Sequence, residues 1–338
     1  MENEIHAILA NLWFFIIALI LILYIVLDGF DLGVGILSLL TRNEDRRAVM
    51  MSSLGGVWDA NETWLVVLAG AVFGAFPAVY AAVLHALYVP VMAMLFGLIL
   101  RGAALELRSQ ANNKTPWSLA FGVGSLLAAV TQGLALGTLL EGVPLEGGVF
   151  VGGAWGWLTP YAVLWSFAVL AAYTLFGAAY LIIKTEGRLQ KFSRRLAKAS
   201  SVLLVFVGLI VIPLTLSLHP HVAQRWAEIP LIYFLIVLLA LAFYMLLDSL
   251  RKGRELSPFF WSVTIFLSVA GIMALSHYPY VIPAAITIQD AAASSKTLVF
   301  MLIGIGMLLP VMLIYNSYQY LVFRGKVRLG RHKVTEQA

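Results

Sequence analysis

Apolar residues recur along this chain in blocks of about 20, each closed by a short polar or charged stretch, and that is the length a helix needs to cross a hydrocarbon core of roughly 30 Å. The blocks predict nine membrane-spanning helices, at about 12–40, 50–76, 78–107, 117–140, 158–183, 199–218, 229–248, 258–276 and 297–323. The segment YPYVIPAAITIQDAAASSK contains Pro279 and Pro283, so it cannot be an ordinary helix throughout and is expected to fold over the outer surface before the last span. No fixed-period repeat stands out. The connection from Gly142 to Gly156 divides the first eight helices into four and four.

Composition narrows the class. With 61% apolar and 12% charged residues, a soluble globule is excluded and a polytopic, all-α membrane protein is expected. The absence of Cys removes disulfides, thiolate metal sites and a cysteine nucleophile. A net charge of +5 could suggest a nucleic-acid partner, but the placement of the charge argues against one. Of the 22 Lys and Arg, all but Arg225 and Lys296 fall in clusters within 42–47, 101–114, 184–198, 251–254 and 324–333, which occupy every second connection. The positive-inside rule then places these clusters and the C-terminus in the cytoplasm and the N-terminus outside. The start MENEIHAILANLW has no basic residue ahead of its apolar run, so it lacks the head of a cleavable signal and the first helix is expected to be retained.

Ionisable residues inside a span are costly to insert, so the acids there are candidates for function. In LDGFDLGVG, Asp28 and Asp31 sit one helical turn apart on one face; in VWDANETW, Asp59 and Glu62 repeat that spacing. Counting 1.5 Å per residue from the cytoplasmic ends, Asp31 and Asp59 lie about 13 Å deep and Asp28 and Glu62 about 18 Å deep. Two antiparallel helices would then present a ladder of four carboxylates, the kind of group that relays protons. Asp59, between Trp58 and Trp64, is expected in surroundings that limit hydration and is the first choice for the proton step. The plainer reading is that the acids cap or pair, with Asp59 on Arg101 and Asp28 on backbone groups near Gly29 and Gly33. The glycines themselves are expected to permit close helix packing.

A redox centre on this chain would need axial ligands. His6, His219 and His221 fall at or outside the outer face, His85 and His277 near outer helix ends, and His332 in the basic tail. This set supplies no facing ligand pair, and the chain is expected to bind no haem and no metal by itself. The aromatic residues read as interface belts and lipid-facing packing.

Together, LDGFDLGVG, GVWDANETWL, FPAVYAAVLHALYVPVMAMLFGLILRGAALELR, YPYVIPAAITIQDAA and LPVMLIYNSYQYLVFRGKV resemble subunit II of cytochrome bd-type ubiquinol oxidases nearly end to end, and the short chain resembles the compact, cyanide-insensitive branch. The resemblance implies a single integral membrane domain over 1–338, with a first four-helix bundle at 1–140, a second at 158–276, a ninth helix at 297–323 and a basic cytoplasmic tail at 324–338. It implies a multi-pass protein of a prokaryotic cell membrane and a haem-bearing subunit I as partner. That partner would hold b-type haem, with d-type or b-type haem left open at the O₂ site. A small single-helix accessory subunit is left open too. Quinol would be the substrate of the complex, with membrane lipid and quinone as its surroundings. The resemblance further implies a proton route over Asp28, Asp31, Asp59 and Glu62, least securely for Glu62, and a structural salt bridge for Arg101. Two other classes compete: a proton-coupled secondary transporter, for which inverted repeats and broken helices are expected and neither is visible, and a scaffold whose acids are inert.

Overall fold

A computed structural model describes residues 2–147, 149–283 and 285–327, so most of the basic tail, with Arg328, Arg331, His332 and Lys333, lies outside the described residues. Its elements follow from local chemistry. Helix α1 (Glu2–Leu39) opens with Glu2 and Glu4, acids that suit the positive end of a helix dipole, and begins ahead of the apolar block expected from residue 12. Helix α2 (Glu44–Ser52) is capped by Asn43, whose side chain accepts a bond from the Arg46 N–H at 2.9 Å.

The continuous helix expected at 50–76 is broken. Between α2 and α3 (Trp58–Ala75) the backbone turns through Gly55 and Gly56, poor helix formers, and the ring of Phe323 packs where a Cβ on Gly56 would lie 2.4 Å away. Pro77 ends α3. As the residue before proline, Phe76 leaves the helical region with φ −131° and ψ 64°, and α4 (Pro77–Ala86) departs at 120°. Leu87 separates α4 from α5 (Tyr88–Leu107), so the helix expected at 78–107 is also in two pieces. A broken span, absent from the sequence reading, is therefore present.

Helix α6 (Thr115–Glu141) stops at Gly142, whose φ of 102° favours glycine. A short antiparallel hairpin follows, β1 (Leu145–Glu146) with β2 (Val149–Phe150). Helix α7 (Pro160–Lys184) is capped by Thr159, and α8 (Gly187–Leu218) begins far earlier than the expected 199. Its basic first turns are helical because Leu189, Ser193 and Ala197 recur at every fourth position and are buried, giving that stretch an inward face. The connection read as a loop at 184–198 is thus mostly helix. Helices α9 (Pro220–Glu228), α10 (Pro230–Arg251) and α11 (Ser257–His277) complete this half. The proline-bearing segment is non-helical at first, as expected. Strands β3 (Tyr280–Ile282) and β4 (Ile286–Thr287) pair, α12 (Ile288–Ala291) adds one turn, and the Ala293 N–H donates to the Ala75 carbonyl at 2.8 Å. Helix α13 (Ser295–Val322) ends the described chain apart from a short extension.

Among the described residues, eight helices are long and apolar enough to cross a membrane, and the bent pair α3 and α4 supplies a ninth span when counted as one. The protein is an all-α polytopic membrane protein. Helix α1 packs against α3, α6 and α7, and α13 rests on α1 and α3; α5 pairs with α6, α7 with α8 and α11, and α10 with α11. From Asp28 to Ser38 every residue of α1 is buried. Such enclosure requires close approach: a Cβ on Gly33 would stand 1.8 Å from the Tyr173 carbonyl oxygen, and one on Gly177 2.4 Å from the Gly33 carbonyl carbon. With no Cβ at either position, the backbones of α1 and α7 meet.

Candidate functional site

The enclosed half of α1 carries Asp28 and Asp31, both fully buried. Burying a carboxylate without a partner is prohibitive, so the neighbouring helices must answer it. Helix α5 does so with Arg101, itself fully buried, whose Nη1 donates to Asp28 Oδ1 at 2.6 Å. The other arm of the same guanidinium reaches α3, where Nη2 donates to Glu62 Oε2 at 2.9 Å. Glu62 remains 28% exposed at its side chain, so the cluster runs from a half-open edge into a closed interior. Arg101 thus holds two acids from two helices, a use suited to its fork of donors.

Asp31 is answered differently. Asn61 Nδ2 donates to Asp31 Oδ2 at 2.9 Å, and the Tyr320 hydroxyl of α13 donates to Asn61 Oδ1 at 2.7 Å. One oxygen of each aspartate, Asp28 Oδ2 and Asp31 Oδ1, is buried and finds no hydrogen-bond partner among the described residues, and Arg101 Nε shares that condition. Near Asp28 a polar chain leads inward: Gln132 Nε2 donates to the Tyr24 oxygen at 2.7 Å, and the Tyr173 hydroxyl donates to Gln132 Oε1 at 2.6 Å. Tyr24 precedes Asp28 by one turn on α1 and interacts with it.

Of the carboxylates read from the sequence, the structure gathers Asp28, Asp31 and Glu62 and leaves Asp59 at the rim. Asp59 is exposed on this chain, in the first turn of α3. Trp58 and Trp64 do not cover it: at about 100° per residue they project to other faces, and Trp64 Nε1 turns to donate to Asn316 Oδ1 of α13 at 3.1 Å. The expected pairing of Asp59 with Arg101 is corrected. The guanidinium meets α3 one turn deeper, at Glu62, because Arg101 stands at the depth of Asp28. Arg101 pairs instead with Asp28 and Glu62. Asn61, Tyr320, Gln132, Tyr24 and Tyr173 were not singled out in the sequence. Asn61 lies between two acids inside an apolar run, and that placement was the available signal.

A second charged cluster ties the helix ends beside α2. Glu44 accepts from Arg108 Nη2 at 2.7 Å and from the Ser118 hydroxyl at 2.5 Å, and pairs with Arg47 at 3.4 Å. Partial burial pushes the Glu44 carboxyl up, but the bonds from Ser118 and Arg108 and the charges of Arg108 and Arg47 outweigh it and hold the group below its ordinary value.

The described residues do not fit a haem. None of the five described histidines is buried, and no group of three or more His, Asp and Glu among the described residues is arranged to hold a metal ion. His85 and His277 close α4 and α11, His219 and His221 flank the start of α9, and His6 Nδ1 bonds the Ser295 hydroxyl at 3.1 Å.

Comparison with known proteins gives a consistent result. The model of the family described as cytochrome bd terminal oxidase subunit II matches residues 9–323. The chain is 28% identical to a cytochrome bd ubiquinol oxidase subunit 2 of Bacillus subtilis (strain 168), covering 94% of this chain and 97% of that one. It is 26% identical to the cytochrome bd-I ubiquinol oxidase subunit 2 of Escherichia coli (strain K12), over 95% of this chain and 96% of that one. A chain of the solved bd oxidase from Geobacillus thermodenitrificans shares the fold with a TM-score of 0.76 at 19% identity, covering 94% of this chain and 99% of the other.

Proposed function

The chain belongs to the cytochrome bd terminal oxidase subunit II family, and on that premise we propose that it is the non-haem subunit of a membrane quinol:O₂ oxidoreductase. Its role is to hold and pass protons taken from the cytoplasmic side toward the haem site of a subunit I partner. The observation that carries the reading is the cluster of Asp28, Asp31 and Glu62 around Arg101 within spanning helices. Acids kept in apolar helices at this cost, with Arg101 compensating only part of their charge, suit groups that exchange protons. Asp59 at the rim is the entry group, Glu62 follows one turn deeper, and Asp28 and Asp31 form the interior.

The described histidines offer no axial pair, and the reading assigns the haems to the partner: b-type, with d-type or b-type at the O₂ site. The protein lies in the prokaryotic cell membrane with its N-terminus outside and its basic connections inside. The transporter alternative loses its structural footing. The bent pair α3 and α4 breaks at Phe76, about 21 Å along the helix from Glu62, and places no ionisable side chain of the cluster at that break.

Absorption spectra test the reading. With subunit I co-expressed, the purified tagged chain should carry haem bands and oxidise quinol; expressed alone, it should show neither. Stoichiometric haem on the lone chain would refute the assignment.

A further inference from the structure

The basic cluster at 184–198 falls mostly on the first turns of α8, and the helix puts its charges in order. From Gly187 to Lys198 there are five basic residues and no acid. The exposed residues from 188 to 198 are Arg188, Lys191, Arg195 and Lys198, every one of them basic. At about 100° per residue these four share an arc of about 80°, and Val202, Phe206 and Leu209 continue the same arc. Those three are 64%, 60% and 69% exposed. One face of one helix thus passes from basic to apolar within a turn of Lys198. The positive-inside rule accounts for the sign of these charges, but it does not require that they fill every exposed position of a face that then enters the lipid.

Depth assigns the charges to two groups. The apolar block of α8 begins at about 199, so at 1.5 Å per residue Lys198 and Arg195 lie about 2 and 6 Å outside the hydrocarbon, within the head-group layer. Lys191 and Arg188 lie about 12 and 16 Å outside it. Arg194 points off this face and donates from Nη1 to the Arg254 carbonyl at 2.8 Å and from Nη2 to the Gly253 carbonyl at 2.7 Å, which ties α8 to the end of α10. That end brings in Arg251, exposed and about 5 Å beyond the apolar block of α10, at the level of Arg195. The acids nearby are engaged elsewhere: Asp248 pairs with Lys252 at 2.8 Å, and Glu255 accepts from Lys326 at 2.7 Å and from Gln190 at 2.9 Å. Glu186 lies past Arg188, farthest from the bilayer. Arg195, Lys198 and Arg251 form no salt bridge among the described residues, so their counter-charge comes from outside the chain.

We propose that this face of α8, with Arg251 beside it, is a binding surface for anionic phospholipid, the phosphate held by Arg195, Lys198 and Arg251 and the acyl chains lying along Val202, Phe206 and Leu209. Lys191 and Arg188 stand farther out and act on the lipid surface by charge alone, an attraction that fades over a screening length of about 8 Å. A zwitterionic lipid fits the apolar part of the face as well, but it carries its own cation and gains less from the stripe. The surface shares no residue with the carboxylate site and does not rest on the proposed proton route.

The test uses the purified oxidase complex in vesicles that contain phosphatidylglycerol or phosphatidylcholine with a photoactivatable group near the head, and reads the labelling of peptides from 187–210 by mass spectrometry, with haem content as the control for assembly. Wild type should be labelled several-fold more by phosphatidylglycerol, and that preference should shrink in about 0.5 M salt. Arg195→Gln combined with Lys198→Gln should cut phosphatidylglycerol labelling at least tenfold, at about fivefold for each charge, and leave phosphatidylcholine labelling unchanged. Arg188→Gln, farther from the bilayer, should lower it less than about twofold. Equal labelling by the two lipids in wild type, a preference that salt does not touch, or phosphatidylglycerol labelling unchanged in the double variant would overturn the proposal. So would a loss in Arg188→Gln as large as in the double variant, because it would show an effect of net charge and not of a surface at head-group depth. If the double variant does not assemble, Lys198→Gln decides alone: a loss of about fivefold supports the surface, and no loss overturns it.

Discussion

Arg101 is the residue on which the interior depends. It is buried between two acids on different helices, and removing it strands Asp28 as an uncompensated charge, which costs about 3–5 kcal/mol. Arg101→Leu is expected to abolish recovery of haem-containing complex. Arg101→Lys keeps the charge but cannot span both carboxylates, so complex should be recovered with a lowered thermal midpoint. Glu62→Gln leaves the bond to Asp28 in place and should cost less than either, read by the same midpoint. The candidate acids were legible as charges inside apolar runs, because membrane insertion makes such residues conspicuous, whereas Arg101, counted with the basic cluster at 101–114, is buried within α5. Which acid meets Arg101 was not. A depth count fixes position along a helix axis but not the direction a side chain faces, and the pairing of Asp59 with Arg101 was misread on that account.

At the scale of elements, helix α13 is held to α3 by two polar contacts, Tyr320 on Asn61 and Trp64 on Asn316. Since Asn61 also holds Asp31, Tyr320→Phe should loosen the position of that amide; the expected result is a changed pH profile of quinol oxidation with complex yield preserved. Glu44 joins α2 to Arg108 at the end of α5 and Ser118 on α6. Its carboxyl is held below the ordinary value, so its contribution is present above that ordinary value and is lost as pH falls through the lowered one. Glu44→Gln should therefore lower the thermal midpoint at pH 7, modestly because the group is partly exposed, and the difference should close in acid below the ordinary carboxylate range. The spans were legible from apolar length, but their breaks at 53–57 and Leu87 were not. Those breaks depend on tertiary contacts such as Phe323 against Gly56, which no local window contains.

For the whole molecule, the partition of basic residues predicts an orientation that labelling can check. The chain has no Cys, so single cysteines can be introduced at exposed sites on the two faces. Glu146→Cys on β1 should react with an impermeant thiol reagent in intact cells and Lys191→Cys on α8 should not; Gly148, a natural alternative for the first position, lies outside the described residues. We propose that α1, α3, α5 and α6 form one four-helix unit and α7, α8, α10 and α11 a second, with α13 as the ninth helix, a grouping supported by the pairing of α5 with α6 and of α10 with α11. Both units adjoin α1 where it carries the aspartates, since α6 and α7 pack on it together. The central claim is that these buried acids exchange protons for the oxidase. Asp31→Asn tests it most directly, because the amide can still accept the bond from Asn61 while losing the exchangeable proton. Turnover per haem and proton uptake should be measured on the purified complex in sealed vesicles, with Asp59→Asn alongside. The account requires both quantities to fall roughly tenfold or more in Asp31→Asn at normal haem content. Turnover and proton uptake equal to wild type in that variant would contradict it.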